Sequence, residues 1–515
     1  AAPVTGFTDP TQSTLHFEMR VTRIHEDPRV TKPYSEEQWA RIDALGRQVD
    51  ADLAAGNVRL TQGGEPTFVS IDNMDGPEWN ITALSEEKWQ RAEELAWRLR
   101  ERFAPGSLLM YAQGKWYPGE PLPRWALPIL WRPDGQPVWK NAALMAGEST
   151  PAKSTLEDAQ RLVDAIAARL GLSAAYVIPG YEDPLLALLG EQQLPDNLDP
   201  LKTPMATHDD RLRVARIVER GLDRPTGFVL PLKAREVLAD SIQTEWASSP
   251  WPLRRGRLFL LPSSHPMGAR LPLASLHEVL PEDVQHEYDR DPFSERGSLH
   301  DAHALAEKQR HAKKPGTAKP APRDVVRTAL CVQAREGRLF IYLPPLKRLE
   351  DFLNLVAIIE AACSQLQCAV RLEGYLPPID PRLKVLAVTP DPGVIEVNVH
   401  PATSWPELVA NTTALYEASR ESRLGTEKFM VDGRHTGTGG GNHVTLGGAS
   451  AADSPFLRRP DLLKSLILYW QNHPALSYVF SGQFIGPTSQ APRVDEARDD
   501  NLYELEIAFQ QMDLH

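Results

Sequence analysis

The sequence predicts an α+β fold built in more than one part, and three observations predict it. At 515 residues the chain exceeds one ordinary core, so two packed units or one domain with a large insertion is expected. Helical periodicity and strand-like alternation follow one another along most of its length. Between residues 283 and 324 the chain turns polar and proline-punctuated, as in Asp289-Arg290-Asp291-Pro292 and Lys319-Pro320-Ala321-Pro322, which is the composition of a flexible insertion. The resulting division is an N-terminal strand and helix over 1–60, a first part over 61–282, the insertion over 283–324, and a second part over 325–515.

Taken in order, residues 14–24 alternate as a strand, and Ser35 before Glu36-Glu37-Gln38 has the form of a capped helix start running to about Ala55. A second strand leads into Gly63-Gly64-Glu65-Pro66, and a helix fits Ser85 to Phe103. From Lys115 to Trp139 the chain is rich in tryptophan and proline. The 45 prolines are roughly 9% of the residues where about 5% is usual, so many connections read as rigid irregular loops. Helical spacing returns from Ser154 to Leu170, and strands are expected at Gly227–Leu232 and Gly256–Leu261 with a helix between. After the insertion come strands at Thr328–Gln333 and Arg338–Leu343, a helix at Leu349–Leu366, and strands at Val370–Tyr375 and Leu383–Thr389.

Bulk properties exclude several functions. With 56 Lys+Arg against 68 Asp+Glu the net charge is -12, and dense basic runs are confined to the insertion, so nucleic acid is not expected as a partner. No stretch approaches the roughly 18 continuous apolar residues of a spanning helix, so no membrane insertion is expected. The three cysteines, Cys331, Cys363 and Cys368, lie in apolar segments, which fits buried thiols without disulfides in a cytoplasmic protein.

Five segments carry candidate chemistry. In Gly393-Val394-Ile395-Glu396-Val397-Asn398-Val399-His400-Pro401 the strand period places Glu396, Asn398 and His400 on one face and Ile395, Val397 and Val399 on the other. Leu502 to Phe509 reads as a second such strand with Glu504 and Glu506 on one face. Carboxylate oxygens suit hard divalent cations such as magnesium, which keep several waters and are completed by substrate phosphates. Half of Gly437–Gly448 is glycine, a composition that lets backbone amides approach anionic oxygens, with Asn442 and His443 at the start of a following strand. It is neither a Walker loop, lacking Gly-Lys-Ser/Thr, nor a Rossmann turn, because a strand follows. Glu65, after two glycines, is a further candidate ligand. Arg493 and Arg498 follow a turn-rich loop and suit phosphate recognition. Lys115–Glu120 and Ser264–Arg270 are rim-loop candidates. Each segment alone also fits a solvated strand edge, turn or loop.

Together, Gly63-Gly64-Glu65-Pro66-Thr67, Glu396-Val397-Asn398-Val399-His400-Pro401, Gly439-Gly440-Gly441-Asn442-His443 and Gln490-Ala491-Pro492-Arg493-Val494-Asp495 resemble the amidoligase family within the glutamine-synthetase-like carboxylate-amine ligases. The resemblance runs over nearly the whole chain. It implies a curved antiparallel sheet forming a bowl, flanked by helices with an inserted subdomain, holding ATP and two or more Mg2+ ions, with Mn2+ as a substitute. The γ-phosphate would pass to a small-molecule or peptide carboxylate, and an amine would displace phosphate from the acyl phosphate. Carried over to matching positions, Glu65, Glu396 and Asn398 are metal ligands, with Glu504 and Glu506 matching less closely. His443 contacts nucleotide phosphate or metal, the glycines Gly439, Gly440 and Gly441 with Asn442 and Arg498 contact the nucleotide, and Arg493 clamps the transferred phosphoryl group beside Glu396. Relatives often show Glu-x-Glu where this chain has Glu396-x-Asn398, replacing one anionic ligand by a neutral amide. The family commonly carries an upstream transglutaminase-like domain, which the resemblance places before a chain that starts at Ala1.

Two rival readings make different demands. A cysteine-dependent transglutaminase needs a reactive thiol beside a histidine. A non-catalytic nucleotide- or peptide-binding module keeps the bowl and has lost turnover.

Overall fold

The structure is a computed structural model that describes residues 34–116, 124–185, 192, 215–218, 221–235, 244–253, 256–263, 265–276, 296–312, 325–429, 433, 435–438, 443–448, 450–473, 507, 509–511 and 514. The strand expected at 14–24 lies outside them. Helix α1 (Glu36–Ala55) starts at Ser35, whose hydroxyl accepts from the Gln38 N–H at 3.2 Å while the Gln38 side chain accepts from the Ser35 N–H at 2.7 Å. Two orphan donors are thereby satisfied at once. Helix α3 (Leu156–Arg169) begins with the same reciprocal pair between Thr155 and Asp158, and helix α2 (Glu86–Phe103) begins at Ser85, whose hydroxyl accepts from the Lys88 N–H.

Strands β1 (Thr61–Glu65), β2 (Thr67–Ser70), β3 (Leu108–Gln113), β4 (Trp125–Trp131), β5 (Ile178–Glu182) and β6 (Gly227–Pro231) precede a short separate ribbon of β7 (Lys233–Ala234) and β8 (Trp246–Ala247). Then come β9 (Leu258–Leu260), β10 (Ala329–Arg335), β11 (Arg338–Leu343), β12 (Val370–Gly374), β13 (Lys384–Asp391) and β14 (Val394–Ala402). The short strands β15 (Leu424–Gly425), β16 (Glu427–Phe429), β17 (His435–Gly437) and β18 (His443–Gly447) follow. The main sheet has the order β15-β2-β14-β13-β4-β3-β12-β11-β10-β6-β5-β9, with β1 inserted between β14 and β18.

This sheet is antiparallel from β15 to β3, but β3–β12, β12–β11 and β5–β9 are parallel. The expectation of a wholly antiparallel sheet is corrected accordingly. The physical reason lies between β11 and β12, where helix α5 (Leu349–Leu366) supplies the crossover that parallel neighbours require. Trp125–Trp131, expected as irregular chain, is strand β4. Pro128 lacks a ladder donor, and the β3–β4 pairing passes from Leu109↔Ile129 to Ala112↔Ala126 around it.

Helices α2 and α6 (Trp405–Glu421) cover one face of the antiparallel part, where Leu95 and Leu99 join Leu127, Ile129, Val388, Ile395 and Val397 in the main core. Helix α3 packs on β10 and β6 and against α5, with Leu162, Ile166, Leu355 and Ile359 in the main core. A smaller cluster sets Val229, Cys331 and Tyr342 against Trp251, Leu258 and Met267.

Two readings of the sequence are revised. Within the polar stretch 283–324, Ala302–Ala312 form helix α4, which packs on α5, buries Ala306 and places His303 Nε2 2.8 Å from Glu360 Oε2. Its small apolar residues suffice because the partner helix supplies the bulk. At the C-terminus, Ile507 and residues 509–511 are helical, so the strand expected across Leu502–Phe509 does not hold there. Among the described residues no helix is long and apolar enough to cross a membrane.

Candidate functional site

The candidate site is built on β14, which is central to the antiparallel part. Its neighbours set Thr389 of β13 and Thr67 of β2 directly opposite Glu396, one on each side. Gly64↔Val399 and Thr67↔Glu396 belong to one continuous register across Pro66, which places Glu65 opposite Asn398. On the far side of β1, Glu65 pairs with His443 of β18. Residues from three distant segments thus reach adjacent positions, each about 4.5–5.5 Å from its cross-strand neighbour at Cα.

The face opposite the helices carries oxygen-rich side chains. Glu396 is buried, at 6% exposure, and its Oε1 accepts from Asn398 Nδ2 at 3.0 Å. The same amide donates to Thr389 Oγ1 at 3.3 Å. Lys115 Nζ stands 3.5 Å from Glu396 Oε1. A cleft beside them is lined by Lys115, Arg124, Trp125, Thr389, Pro390, Asp391 and Glu396.

Its two cations come from the ends of one hairpin. After β3, the Gly114 N–H donates to the Arg124 carbonyl at 2.6 Å and the Arg124 N–H donates to the Lys115 carbonyl at 3.0 Å. A side chain at Gly114 would begin 2.9 Å from the Trp125 carbonyl oxygen, so the close approach requires glycine. Arg124 is buried and paired with Asp391. Beneath this pair, fully buried Lys88 donates to the carbonyls of Asp391 at 2.9 Å and Thr82 at 2.7 Å. Burial is the main influence on that amine and pushes it down to about 7, against the opposing pull of Asp391.

The glycine-rich segment approaches the same place at both ends. The Thr438 hydroxyl meets that of Thr67 at 2.5 Å, both buried, and β18 begins at His443 opposite Glu65. Gly439, Gly440, Gly441 and Asn442 themselves lie outside the described residues, as do Arg493, Arg498, Glu504 and Glu506. Among the described residues no three His, Cys, Asp or Glu side chains form a ready metal cluster. The donor set that is present, two carboxylates with an amide and two threonine hydroxyls, is hard oxygen chemistry and fits Mg2+ or Mn2+.

His400 does not join this face. The register shifts between Gln62 and Gly64, leaving extra residues of β14 opposite Gly63, and the alternation is broken there. The ring turns to the helix side, edge-on to Trp131 at 4.8 Å and Phe103 at 5.3 Å, and Nε2 lies 3.1 Å from Asn411 Nδ2. Burial, with Lys384 adding to it, pushes the imidazole down to about 4. The expectation that Glu396, Asn398 and His400 share a face is corrected to Glu396 and Asn398 alone.

Sequence reasoning missed Arg124, Thr389 and Asp391. Thr67, Lys115 and Thr438 lay in segments it had singled out, but their contacts across the sheet are non-local. Of the Ser264–Arg270 segment, Ser264 lies outside the described residues, and buried Arg270 serves the fold by pairing with Glu182 through both terminal nitrogens, at 3.0 and 2.5 Å. The cysteines are free; burial raises the thiols of Cys331 and Cys363, and that of Cys368 is lowered chiefly by its hydrogen bond with Cys363 rather than by a histidine.

The mixed sheet thus carries a cleft lined by two carboxylates and two cations. Residues 9–515 match the profile of a family described as "Putative amidoligase enzyme (DUF2126)", and the chain belongs to that enzyme family. No curated protein and no solved structure matches it.

Proposed function

We propose that the chain is an ATP-dependent carboxylate-amine ligase whose active site is the open face of β1, β2, β14 and β18, the antiparallel part of the sheet acting as a glutamine-synthetase-like bowl. The observation that carries this reading is the convergence of Glu65, Glu396 and Asn398 with both ends of the glycine-rich segment on adjacent strands. In that reading Glu65, Glu396 and Asn398 hold Mg2+, with Glu504 and Glu506 as further donors. The ion, when bound, neutralises phosphate charge and orients the transferring group. Gly439 to His443 and Arg498 cradle the triphosphate, and Arg493 steadies the phosphoryl group in flight.

The reaction needs no side-chain nucleophile. A substrate carboxylate oxygen attacks the γ-phosphorus, the bond to ADP breaks, and an acyl phosphate forms. The amine nitrogen then attacks the acyl carbon, phosphate leaves with the carboxylate oxygen, and the nitrogen sheds a proton to give the amide. Positioning and charge neutralisation supply the rate, which suits a site of carboxylates, amide and cations. The test is ADP release across a panel of acids and amines, using acids labelled with 18O. Label appearing in inorganic phosphate supports the proposal. ADP release without label transfer, or no turnover with any pair, contradicts it, the second outcome pointing to the binding module instead.

A further inference from the structure

Helix α5 ends in a turn that sets two thiols side by side. Gln367 takes the left-handed conformation, at φ 53°, and the Cys368 N–H then donates to the Cys363 carbonyl at 3.1 Å. This is the bond of a Schellman ending, where the residue after the left-handed one packs its side chain on the residue five positions before it. That contact is ordinarily apolar, and here both members are cysteines. The Gln367 side chain closes the same turn by donating to the Ser364 carbonyl at 2.6 Å. Cys363 is fully buried in the main core, and Cys368 is half-buried against it. A hydrogen bond from the Cys363 thiol is the largest influence on Cys368 and holds it below its ordinary value, against burial and Asp158. Cys331 lies apart, buried on β10 in the smaller cluster.

We propose that Cys363 and Cys368 form a redox-modification site, at which hydrogen peroxide oxidises the two thiols to an intramolecular disulfide. Cys368, the more exposed of the two, attacks as the thiolate. Its sulfur bonds to one peroxide oxygen, the O–O bond breaks, and the other oxygen leaves as hydroxide, which takes up the proton the thiol had shed. The Cys363 sulfur then attacks the resulting sulfenic sulfur, the S–O bond breaks, and the hydroxide departs as water with the Cys363 proton. Two thiols and one hydrogen peroxide thus give one disulfide and two waters, with two electrons passing from sulfur to oxygen. The 3.1 Å bond between the two backbones brings their Cα atoms close to the roughly 4.4–6.8 Å that a disulfide spans. The turn is therefore built before oxidation, and the disulfide staples the C-terminus of α5 to the residues entering β12 without unwinding either.

The experiment treats the full natural chain with a small excess of hydrogen peroxide, then unfolds it, alkylates free thiols with iodoacetamide, digests it with trypsin and reads the peptides by mass spectrometry. Both cysteines fall in one tryptic peptide, residues 349–371, and Cys331 falls in another. After peroxide the first peptide is expected to carry no alkyl group and to have lost two hydrogens, and dithiothreitol before alkylation restores both thiols. In Cys363→Ser the resolving thiol is gone, and dimedone is expected to capture Cys368 as its sulfenic acid. Both cysteines still alkylated after peroxide, or Cys368 carried to the sulfinic acid while Cys363 is alkylated, overturns the inference. A disulfide from either of them to Cys331 overturns it as well.

Discussion

Glu182 and Glu396 stand on two strands of one sheet, and both are nearly withdrawn from water, at 5% and 6% exposure. Their partners differ. Glu182 of β5 is held by both terminal nitrogens of Arg270, itself buried, and by the Thr226 hydroxyl at 3.2 Å. Glu396 of β14 has one amide at 3.0 Å and an exposed lysine at 3.5 Å, and it lines a cleft. A bidentate guanidinium matches a carboxylate closely and commits that charge to the fold. A carboxylate held by one amide at 3.0 Å and an ammonium at 3.5 Å is less tightly committed to the fold. Equal burial therefore does not mean equal purpose, and the completeness of the partner set separates the two.

The largest effect that can break this comparison is on stability. Glu182→Ala leaves Arg270 buried without its counter-charge and is expected to cost about 3–5 kcal/mol, read by chemical denaturation. A loss below about 1 kcal/mol would place Glu182 with Glu396 as a lightly held charge.

The other side of β14 gives the next effect. His400 is held neutral by burial, with a folded value of about 4 against an ordinary value of 6.5. Its contribution is fully present above pH 6.5 and is lost as pH falls toward 4, because the unfolded chain takes up the proton first. The loss is on the order of 3 kcal/mol across that window. His400→Gln should flatten this part of the stability profile; a slope unchanged between pH 6.5 and 4 in that variant assigns the loss to other groups.

Glu396→Gln keeps the shape and removes the charge. Turnover should fall on the order of a hundredfold, the size of losing one strong electrostatic contact at a phosphoryl-transfer centre. Unfolding should shift by less than about 0.5 kcal/mol, in contrast to Glu182→Ala. A Glu396→Gln chain that unfolds would make this carboxylate structural, and one that is stable and fully active would remove β14 from the site.

Much of this arrangement was legible locally. Ser35, Ser85 and Thr155 announce their helices because an N-cap is read from a few consecutive residues. The alternation around Glu396 identifies β14 and sets Glu396 and Asn398 together. What could not be read is whatever depends on a partner strand. The shift at Gln62/Gly64 that sends His400 to the helix side belongs to the pairing of β14 with β1, and nothing in Asn398-Val399-His400 signals it. Lys115 reaches Glu396, and Arg124 reaches Asp391, only because β13 lies between β14 and β4. Pro128 disguised β4 as loop, since a proline inside a central strand is uncommon. Ala302–Ala312 looked too polar to order itself, and the missing information was the α5 surface it docks on.

In the proposed function the open face of β14 holds a divalent cation together with a nucleotide. Calorimetric titration of ATP into the natural chain, with and without Mg2+, tests it most directly, because Glu65 and Glu396 repel a triphosphate unless a cation lies between them. Binding is expected to be at least about tenfold tighter with Mg2+, a difference of roughly 1.4 kcal/mol. Glu396→Gln is expected to narrow this gap. Equal ATP affinity in the two conditions would contradict this reading.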